Sequence, residues 1–198
     1  DGVFFRRSIV ATLYFGFGAV VAGITYSFAI ASLLNKRIIG RGFWRTVFFL
    51  PYIIPMIATN VVWLWMYEAN FGVFNFVLDV AGLGKVAWLQ DEVLVVPSLI
   101  VMTTWQAGNF IVIFLAGLQN IPKAYLDAVD IDGGNSWHKF AHVTLPLMSP
   151  IILFNFLMSV IIHLQVFVPA FALTEGGPNS RTLFMAYLIY REGFMRNN

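Results

Sequence analysis

The sequence contains no cysteine, and only 11% of its 198 residues are charged. Without cysteine the chain can form no disulfide, no thiolate metal site and no cysteine nucleophile. Soluble domains typically have about 25% charged residues, so the low proportion here argues against a soluble fold. The formal net charge of +2 is too small to suggest a nucleic-acid partner.

Common catalytic signatures are also missing from the sequence. There is no G-x-x-x-x-G-K-[ST] phosphate loop, so we do not expect this chain to hydrolyse ATP by itself. There is no G-x-S-x-G nucleophile elbow either. The start of the chain shows no charged region and cleavage site of a signal peptide. It ends in "REGFMRNN", and we expect the sequence to be a fragment of a longer protein.

Long apolar runs make up most of the chain, which is 59% hydrophobic and has a mean hydropathy of +0.78. Four stretches contain no Asp, Glu, Lys or Arg, and each is long enough to cross a hydrocarbon core of about 30 Å. They do not show the alternating polarity of barrel strands, so helices are the remaining solution. We therefore predict an all-α integral membrane protein. Its four transmembrane helices should lie at about residues 8–35, 46–67, 93–118 and 146–172.

The loops between these predicted helices differ in charge. Residues 36–45 include four basic side chains and no acid, whereas residues 68–92 include four acids and one lysine. The positive-inside rule places the first loop in the cytoplasm and the second outside. Alternation then places the third loop, about residues 119–145, in the cytoplasm and both chain ends outside.

The third loop has the pattern of two short capped helices. Pro122 suits the first position of a helix over about 123–131, and Gly133 suits the left-handed residue that ends it. Asn135 or the next residue can cap a second helix, over about 136–143. The resulting helix–turn–helix would present small and aromatic residues with an acidic edge, and such a patch indicates a docking surface. An ordinary solvated loop is the alternative.

Acidic and histidine side chains in this loop raise the question of a metal site. His138 and His142 are spaced to share one helix face, but no glutamate stands between them as in the HExxH pattern. Surface solvation or contact with lipid headgroups is the favoured interpretation of Asp127, Asp130 and Asp132. We predict no metal site.

The same segment resembles the "EAA" loop of permease subunits in bacterial binding-protein-dependent ABC importers. In the sugar-transporter branch, that loop reads approximately P-x-x-x-x-E-A-A-x-x-D-G-A-x-x-W-x-x-F-x-x-I-T-L-P-x-x-x-P. This chain departs from the pattern at Asp127, Val129 and Gly134. The matching positions are Pro122, Ala128, Asp132, Gly133, Trp137, Phe140, Thr144, Leu145, Pro146 and Pro150.

Other parts of the chain resemble the same branch. They are "LLNKRIIGRGFWRTVFFLPYIIP", "WLQDE", "LAGLQNIP" and "LTEGGPNSRT". The resemblance covers nearly the whole chain and implies one permease domain over residues 1–198. Such permeases usually have six spans, so the resemblance implies that the first and last spans are missing here.

The resemblance also implies a set of partners in the cytoplasmic (inner) membrane of a bacterium or archaeon. A second permease, the same or different, would complete the pathway, and two ATP-binding cassette subunits would hold ATP and Mg. An extracytoplasmic solute-binding protein would deliver the solute, and this chain would bind no cofactor and catalyse no reaction. The loop 122–146 would couple to the ATPase subunit, and we predict that this contact is made by Ala124, Asp127, Ala128, Asp132, Gly133, Trp137 and Phe140.

Polar and aromatic residues inside the predicted spans are candidates for the solute pathway, because a sugar site combines hydrogen-bonding groups with aromatic faces. Helix-to-helix hydrogen bonding is the alternative role. The pairs Asn60 with Trp63 and Gln106 with Asn109 each share a face at i, i+3. Because the spans contain no Arg or Lys, a strongly anionic solute is disfavoured. The full set is Asn60, Trp63, Gln106, Asn109, Asn155, His163 and Gln165.

Other functions are weighed against the sugar permease. One is a membrane scaffold whose cytoplasmic helices dock a partner without transport. Another is an ABC permease for a polyol or glycerol phosphate. A secondary transporter would need coupling-ion carboxylates within the bilayer, and the four predicted spans contain none.

Overall fold

The computed structural model describes residues 2–36 and 38–195, and every regular element in this part of the chain is a helix. The all-α prediction is therefore confirmed. Arg37, one of the four basic residues of the first loop, lies outside the described residues, as do the two chain ends. The α-helices are α1 (Gly2–Asn35), α2 (Arg41–Ile53), α3 (Met56–Met66), α4 (Val73–Val80), α5 (Val95–Trp105), α6 (Gly108–Gln119), α7 (Lys123–Ile131), α8 (Ser136–Lys139), α9 (Leu145–Leu164) and α10 (Met185–Tyr190).

α1 is the longest uninterrupted α-helix and packs against α5, α6 and α9. Its 34 residues correspond to about 51 Å of helix. Many of its buried positions are small residues, among them Ala11, Ser27 and Ala31, and small residues let membrane helices approach closely. The helix begins before residue 8, where the sequence-based range starts, because no residue from Gly2 onward interrupts it.

The second apolar stretch is two helices rather than one. α2 and α3 meet at a bend of 100°. Ile54 is extended, with φ −69° and ψ 131°, because a residue before proline avoids the helical region. Pro55 has no backbone donor and begins the new direction. Pro51, in contrast, lies within α2 and is buried.

The third apolar stretch is also bent, by 50°, between α5 and α6. The sequence-based range of 93–118 treats it as one helix, since no proline marks the break. At this break Gly108 comes close to the backbone of α2. A Cβ there would lie 2.9 Å from the carbonyl oxygen of Phe48 and 3.1 Å from Cα of Phe49. α6 therefore starts where its backbone can lie directly against α2.

The fourth stretch begins earlier than the sequence-based range of 146–172, and its helix ends earlier too, at Leu164. α8, a π-helical turn over Phe140–Thr144 and α9 form one helix, Ser136–Leu164, of 29 residues. The second short helix of the loop is thus continuous with the apolar helix. Pro150 removes a donor from this helix, and the hydroxyl of Ser149 donates instead to the carbonyl of Pro146 at 2.8 Å.

A compact loop with α4 joins α3 to α5, and Asn75 fixes it. The Nδ2 of Asn75 donates to the carbonyls of Ala69 and Val86, both at 2.8 Å. Its Oδ1 accepts from Val86 N at 3.1 Å and Trp88 Nε1 at 3.0 Å. One buried amide thereby joins α4, through four hydrogen bonds, to the chain before it at Ala69 and after it at Val86 and Trp88. In the same loop, backbone donors led by Phe71 N–H lower the pKa of Glu68.

The segment after α9 returns to α1. "TLFMAYLIY" is too short to span a membrane and suggests an interfacial helix, but the structure packs it into the core. Leu183 and Phe184 are fully buried, and the ring of Phe184 lies 4.9 Å from that of Phe15. Met185 N donates to Thr12 Oγ1 at 2.9 Å. α10 therefore completes the bundle at one end of α1.

The lengths and compositions of the helices show which of them could cross a membrane. Gly2–Asn35 and Ser136–Leu164 are each long and apolar enough to cross, and the described residues contain up to four spans if each bent pair is one span. The orientation of these helices stays a prediction from the loop charges.

Candidate functional site

The turn between α7 and α8 has the geometry that the sequence predicts. Gly133 has φ +75°, in the left-handed region that favours glycine. Gly134 N donates to Val129 O at 2.8 Å and Gly133 N donates to Asp130 O at 3.1 Å. These two bonds form a Schellman motif that closes α7. The prediction of a positive φ at Gly133 is confirmed.

The start of α8 is closed by Asn135. Its Oδ1 accepts from Trp137 N at 3.0 Å and His138 N at 3.1 Å, while Asn135 N donates to His138 Nδ1 at 3.3 Å. This reciprocal pair is a capping box. An ion pair of 2.6 Å between Lys139 and Asp130 then joins the two helices. Within the ranges 2–36 and 38–195, no group of three or more His, Asp or Glu side chains could hold a metal ion.

The predicted coupling residues lie on the surface of this helix–turn–helix. The side chain of Trp137 is 67% exposed, and its only recorded ring neighbour among the described residues is Phe140, at 5.6 Å. Phe140 is half-buried and lies 6.2 Å from the ring of Phe28 in α1. Tyr125 and Ile131, which the predicted set omits, add exposed apolar surface. The remaining predicted residues are all exposed: Ala124, Asp127, Ala128, Asp132 and Gly133.

Two departures from the EAA pattern compensate each other. The pattern has alanine at both position 129 and position 134, and this chain has Val129 and Gly134. A Cβ added at Gly134 would overlap Val129 Cγ1 and lie 3.0 Å from Val129 O. The larger residue at 129 therefore requires the smaller one at 134.

This contact predicts a paired effect on stability. Gly134→Ala should destabilise the helix–turn–helix by about 1–3 kcal/mol, the usual cost of an overpacked position. Adding Val129→Ala should recover most of that loss, because the methyl groups that clash are removed. The thermal midpoints of the two single variants and the double variant, measured in detergent, give the coupling energy. Additive effects of the two substitutions would contradict the assignment.

A cavity of about 560 Å³ lies at the bend between α2 and α3. Ile54 and Pro55 line it, so the break in the second apolar stretch opens onto this space. Four predicted solute-pathway residues come together here, although they are up to about 60 positions apart in the chain. They are Gln106, Asn109, His163 and Gln165. Aromatic rings of Phe15, Tyr52, Phe110 and Phe167, not among the predicted residues, complete the wall.

The other three predicted pathway residues do not line this cavity. Trp63 is buried in an aromatic cluster, with its ring 5.3 Å from Tyr67 and 5.7 Å from Trp105. Asn155 is fully buried, and its Nδ2 donates to Phe110 O at 3.4 Å. Asn60 is fully buried, and neither atom of its amide has a partner within the part of the chain that the structure describes. The i, i+3 spacing of Asn60 and Trp63 suggests a shared place on the solute pathway, but neither residue lines this cavity.

Gln106 connects the cavity to α3. Its Nε2 donates to Thr59 Oγ1 at 3.1 Å. Its Oε1 is buried and has no partner among the described residues.

One continuous helix links the exposed helix–turn–helix to the cavity. The helix Ser136–Leu164 starts at the exposed helix–turn–helix, and Ile162 and His163 near its other end line the cavity. Its 29 residues correspond to about 43 Å.

An all-α bundle with long apolar helices, an exposed helix–turn–helix and a polar cavity at a broken helix defines a multi-pass membrane protein of the transport class. The chain belongs to the family described as "binding-protein-dependent transport system inner membrane component", whose sequence profile matches residues 18–195. The resemblance found in the loop is thus confirmed, and the protein is a multi-pass component of the inner membrane.

Curated relatives include three permeases with similar coverage. The chain is 35% identical over 192 residues to the probable ABC transporter permease protein YesP of Bacillus subtilis. It is 31% identical over 187 residues to the trehalose/maltose permease MalF of Thermococcus litoralis, and 33% identical over 195 residues to the lactose permease LacF of Rhizobium radiobacter. These matches cover 95%, 94% and 96% of this chain, but only 62%, 63% and 65% of the relatives. The chain therefore spans less than two thirds of their length.

Solved structures agree on the fold. A chain of the bacterial alginate ABC transporter, crystallised with an alginate pentasaccharide-bound periplasmic protein, superposes with a TM-score of 0.84 at 24% identity. The match covers 97% of this chain and 68% of that chain.

Proposed function

We propose that this chain is a permease subunit of an ATP-driven, binding-protein-dependent importer for a carbohydrate. A second permease completes the pathway, two ATP-binding cassette subunits carry ATP and Mg, and an extracytoplasmic binding protein delivers the solute. The observation that supports this proposal best is the helix Ser136–Leu164, which runs from an exposed docking surface to a polar cavity. The membership of the family supports the same partners.

The coupling step follows from this geometry. The exposed apolar residues and the acidic side chains of α7 fit a groove on the ATPase subunit. When that subunit closes, it displaces α7 and α8 together, because the Schellman motif and the Lys139–Asp130 ion pair hold the two helices as one body. Since α8 continues into α9, the displacement moves His163 and its neighbours at the cavity.

The lining of the cavity favours a neutral, hydroxyl-rich solute. Amide groups of Gln106, Asn109 and Gln165 can donate to and accept from hydroxyl groups, and the aromatic rings can stack on a sugar face. Among the residues that the structure describes, no lysine or arginine lines this cavity, so a glycerol phosphate is less well matched than a sugar or polyol. The named substrates of two relatives, trehalose/maltose and lactose, also support a sugar.

Substitutions in the cavity test this proposal. Asn109→Leu and Gln165→Leu should each lower uptake at least tenfold, because each removes hydrogen bonds to the solute while leaving the docking surface intact. The transporter is reconstituted in proteoliposomes with its partner subunits and binding protein. Uptake of labelled maltose, lactose and glycerol is then measured beside basal ATPase activity, which should persist.

Asn60→Leu is the matched control. It also replaces a buried amide, but one outside the cavity and without a partner among the described residues, so uptake should stay near that of the wild type. If the cavity variants transport normally, the assignment of the pathway is wrong. If no solute stimulates the partner ATPase even in the wild type, the scaffold alternative is the better interpretation.

A further inference from the structure

Two arginines join three helix ends on the side predicted to be cytoplasmic. Arg41 caps the end of α1, with Nε donating to Leu34 O at 2.7 Å and Nη2 donating to Asn35 O at 3.2 Å. With the Gln119 amide oriented so that its oxygen faces the arginines, that oxygen accepts from Nη2 of Arg41 and of Arg45, at 3.2 and 2.5 Å. All these acceptors are neutral.

The positive charges of both arginines are therefore not balanced within the described chain. The ion pairs recorded for residues 2–36 and 38–195 are Lys139–Asp130, Arg181–Glu92 and Arg191–Glu192, and none includes Arg41 or Arg45. Arg45 Nε is also buried, with no acceptor in the described part of the chain. The two guanidinium groups carry positive charge that no described acid compensates, so the site is suited to an added anion.

An apolar cavity of about 310 Å³ starts at Arg45 and Gln119. Along α2 it is lined by positions 45, 46, 49, 50 and 53, which share one helix face and extend over about 12 Å. Opposite them lie Val112 and Leu115 of α6. The cavity thus has a cationic end and an apolar body.

We propose that this cavity binds an anionic phospholipid of the inner leaflet. The phosphate contacts Arg45, whose charge adds to that of Arg41 on the same Gln119 oxygen, and an acyl chain lies along α2 and α6. Basic pockets between helices on the cytoplasmic side suit such headgroups, and a free phosphate would leave the apolar body of the cavity unused. The site depends on the predicted orientation and not on the identity of the solute, and it lies apart from the solute cavity.

Lipid retention tests the proposal. The complete transporter is placed in nanodiscs of phosphatidylcholine with a minor fraction of phosphatidylglycerol, and bound lipid is measured by native mass spectrometry after release. Arg45→Gln should lower retention of phosphatidylglycerol about fivefold, the effect of roughly one basic residue near an anionic membrane surface. Ala116→Phe, which fills the apolar body of the cavity, should also lower the retention of phosphatidylglycerol, although it changes no charge. Arg45→Lys should keep part of the wild-type retention.

Lys36→Gln is the matched control, because it removes one positive charge from the same loop at a residue that does not line the cavity. Equal losses in Arg45→Gln and Lys36→Gln would mean general surface attraction and would overturn the site. Displacement of the lipid by millimolar inorganic phosphate would indicate a small-anion site and would also overturn it. A third outcome would also overturn the proposal: the wild-type complex retains no phosphatidylglycerol, and its Leu50→Cys variant crosslinks to a partner subunit. A protein would then fill the cavity instead of a lipid.

Discussion

Gly133→Val is expected to abolish uptake and solute-stimulated ATP hydrolysis together. A Cβ at Gly133 would meet no heavy atom of the described residues within 4 Å, so the effect does not come from a clash. It comes from φ +75°, which costs a residue with a Cβ about 1–2 kcal/mol and a β-branched residue more. The chain escapes that strain by changing φ, which breaks the Schellman bonds and turns α8 away from α7.

The matched control for this prediction is Gly133→Asn. Asparagine tolerates the left-handed region, so this variant should keep most of the coupled activity. Asp127→Ala should also have a smaller effect, because a single exposed charge contributes little. All three variants should insert into the membrane, since no apolar stretch changes. Both activities are measured in proteoliposomes, and normal activity of Gly133→Val would exclude this loop as the coupling element.

Trp137→Ala is expected to weaken binding of the ATPase subunit about 30-fold. Tryptophan residues at the centre of interfaces typically contribute about 2 kcal/mol or more. Trp137 is 67% exposed and contacts the ring of Phe140, so its removal takes away contact area without opening the core. Titration of labelled ATPase subunit onto permease complexes in nanodiscs gives the affinity directly.

Trp65→Ala is the control, because it also removes one exposed indole ring. Trp65 is 70% exposed but lies in α3, away from the helix–turn–helix. ATPase affinity should therefore be unchanged in this variant. An equal loss in both variants would mean that the membrane domain had been damaged generally, and an unchanged affinity in Trp137→Ala would place the ATPase contact elsewhere.

The helix–turn–helix was predictable because its signals are local. Gly133 at a helix end and Asn135 before the next helix act through bonds to residues within five positions. The EAA loop pattern adds to these local signals, because it has the same residues at the same spacing around the turn. The continuation of α8 into α9 was less predictable, because Pro146 suggests a boundary. The helix instead passes through a π-helical turn directly before that proline.

The pathway residues were only partly predictable. Gln106, Asn109 and Gln165 line one cavity, whereas Asn60 and Asn155 are buried in the packed interior. All five are uncharged polar residues in apolar stretches, so the sequence pattern gives them the same signal. Which amide faces a cavity depends on the relative rotation of neighbouring helices, and that rotation is set by contacts between distant residues.

The sequence by itself determined the helical class, the apolar stretches and the capped turn at Gly133, because hydrophobicity and capping act over a few neighbouring residues. The tertiary structure alone decided the 50° bend between α5 and α6, where Gly108 lies against the backbone of α2. It also decided which polar residues share the cavity and which two arginines meet at Gln119. These features arise from packing between helices far apart in the chain, where the fit of whole surfaces determines the geometry.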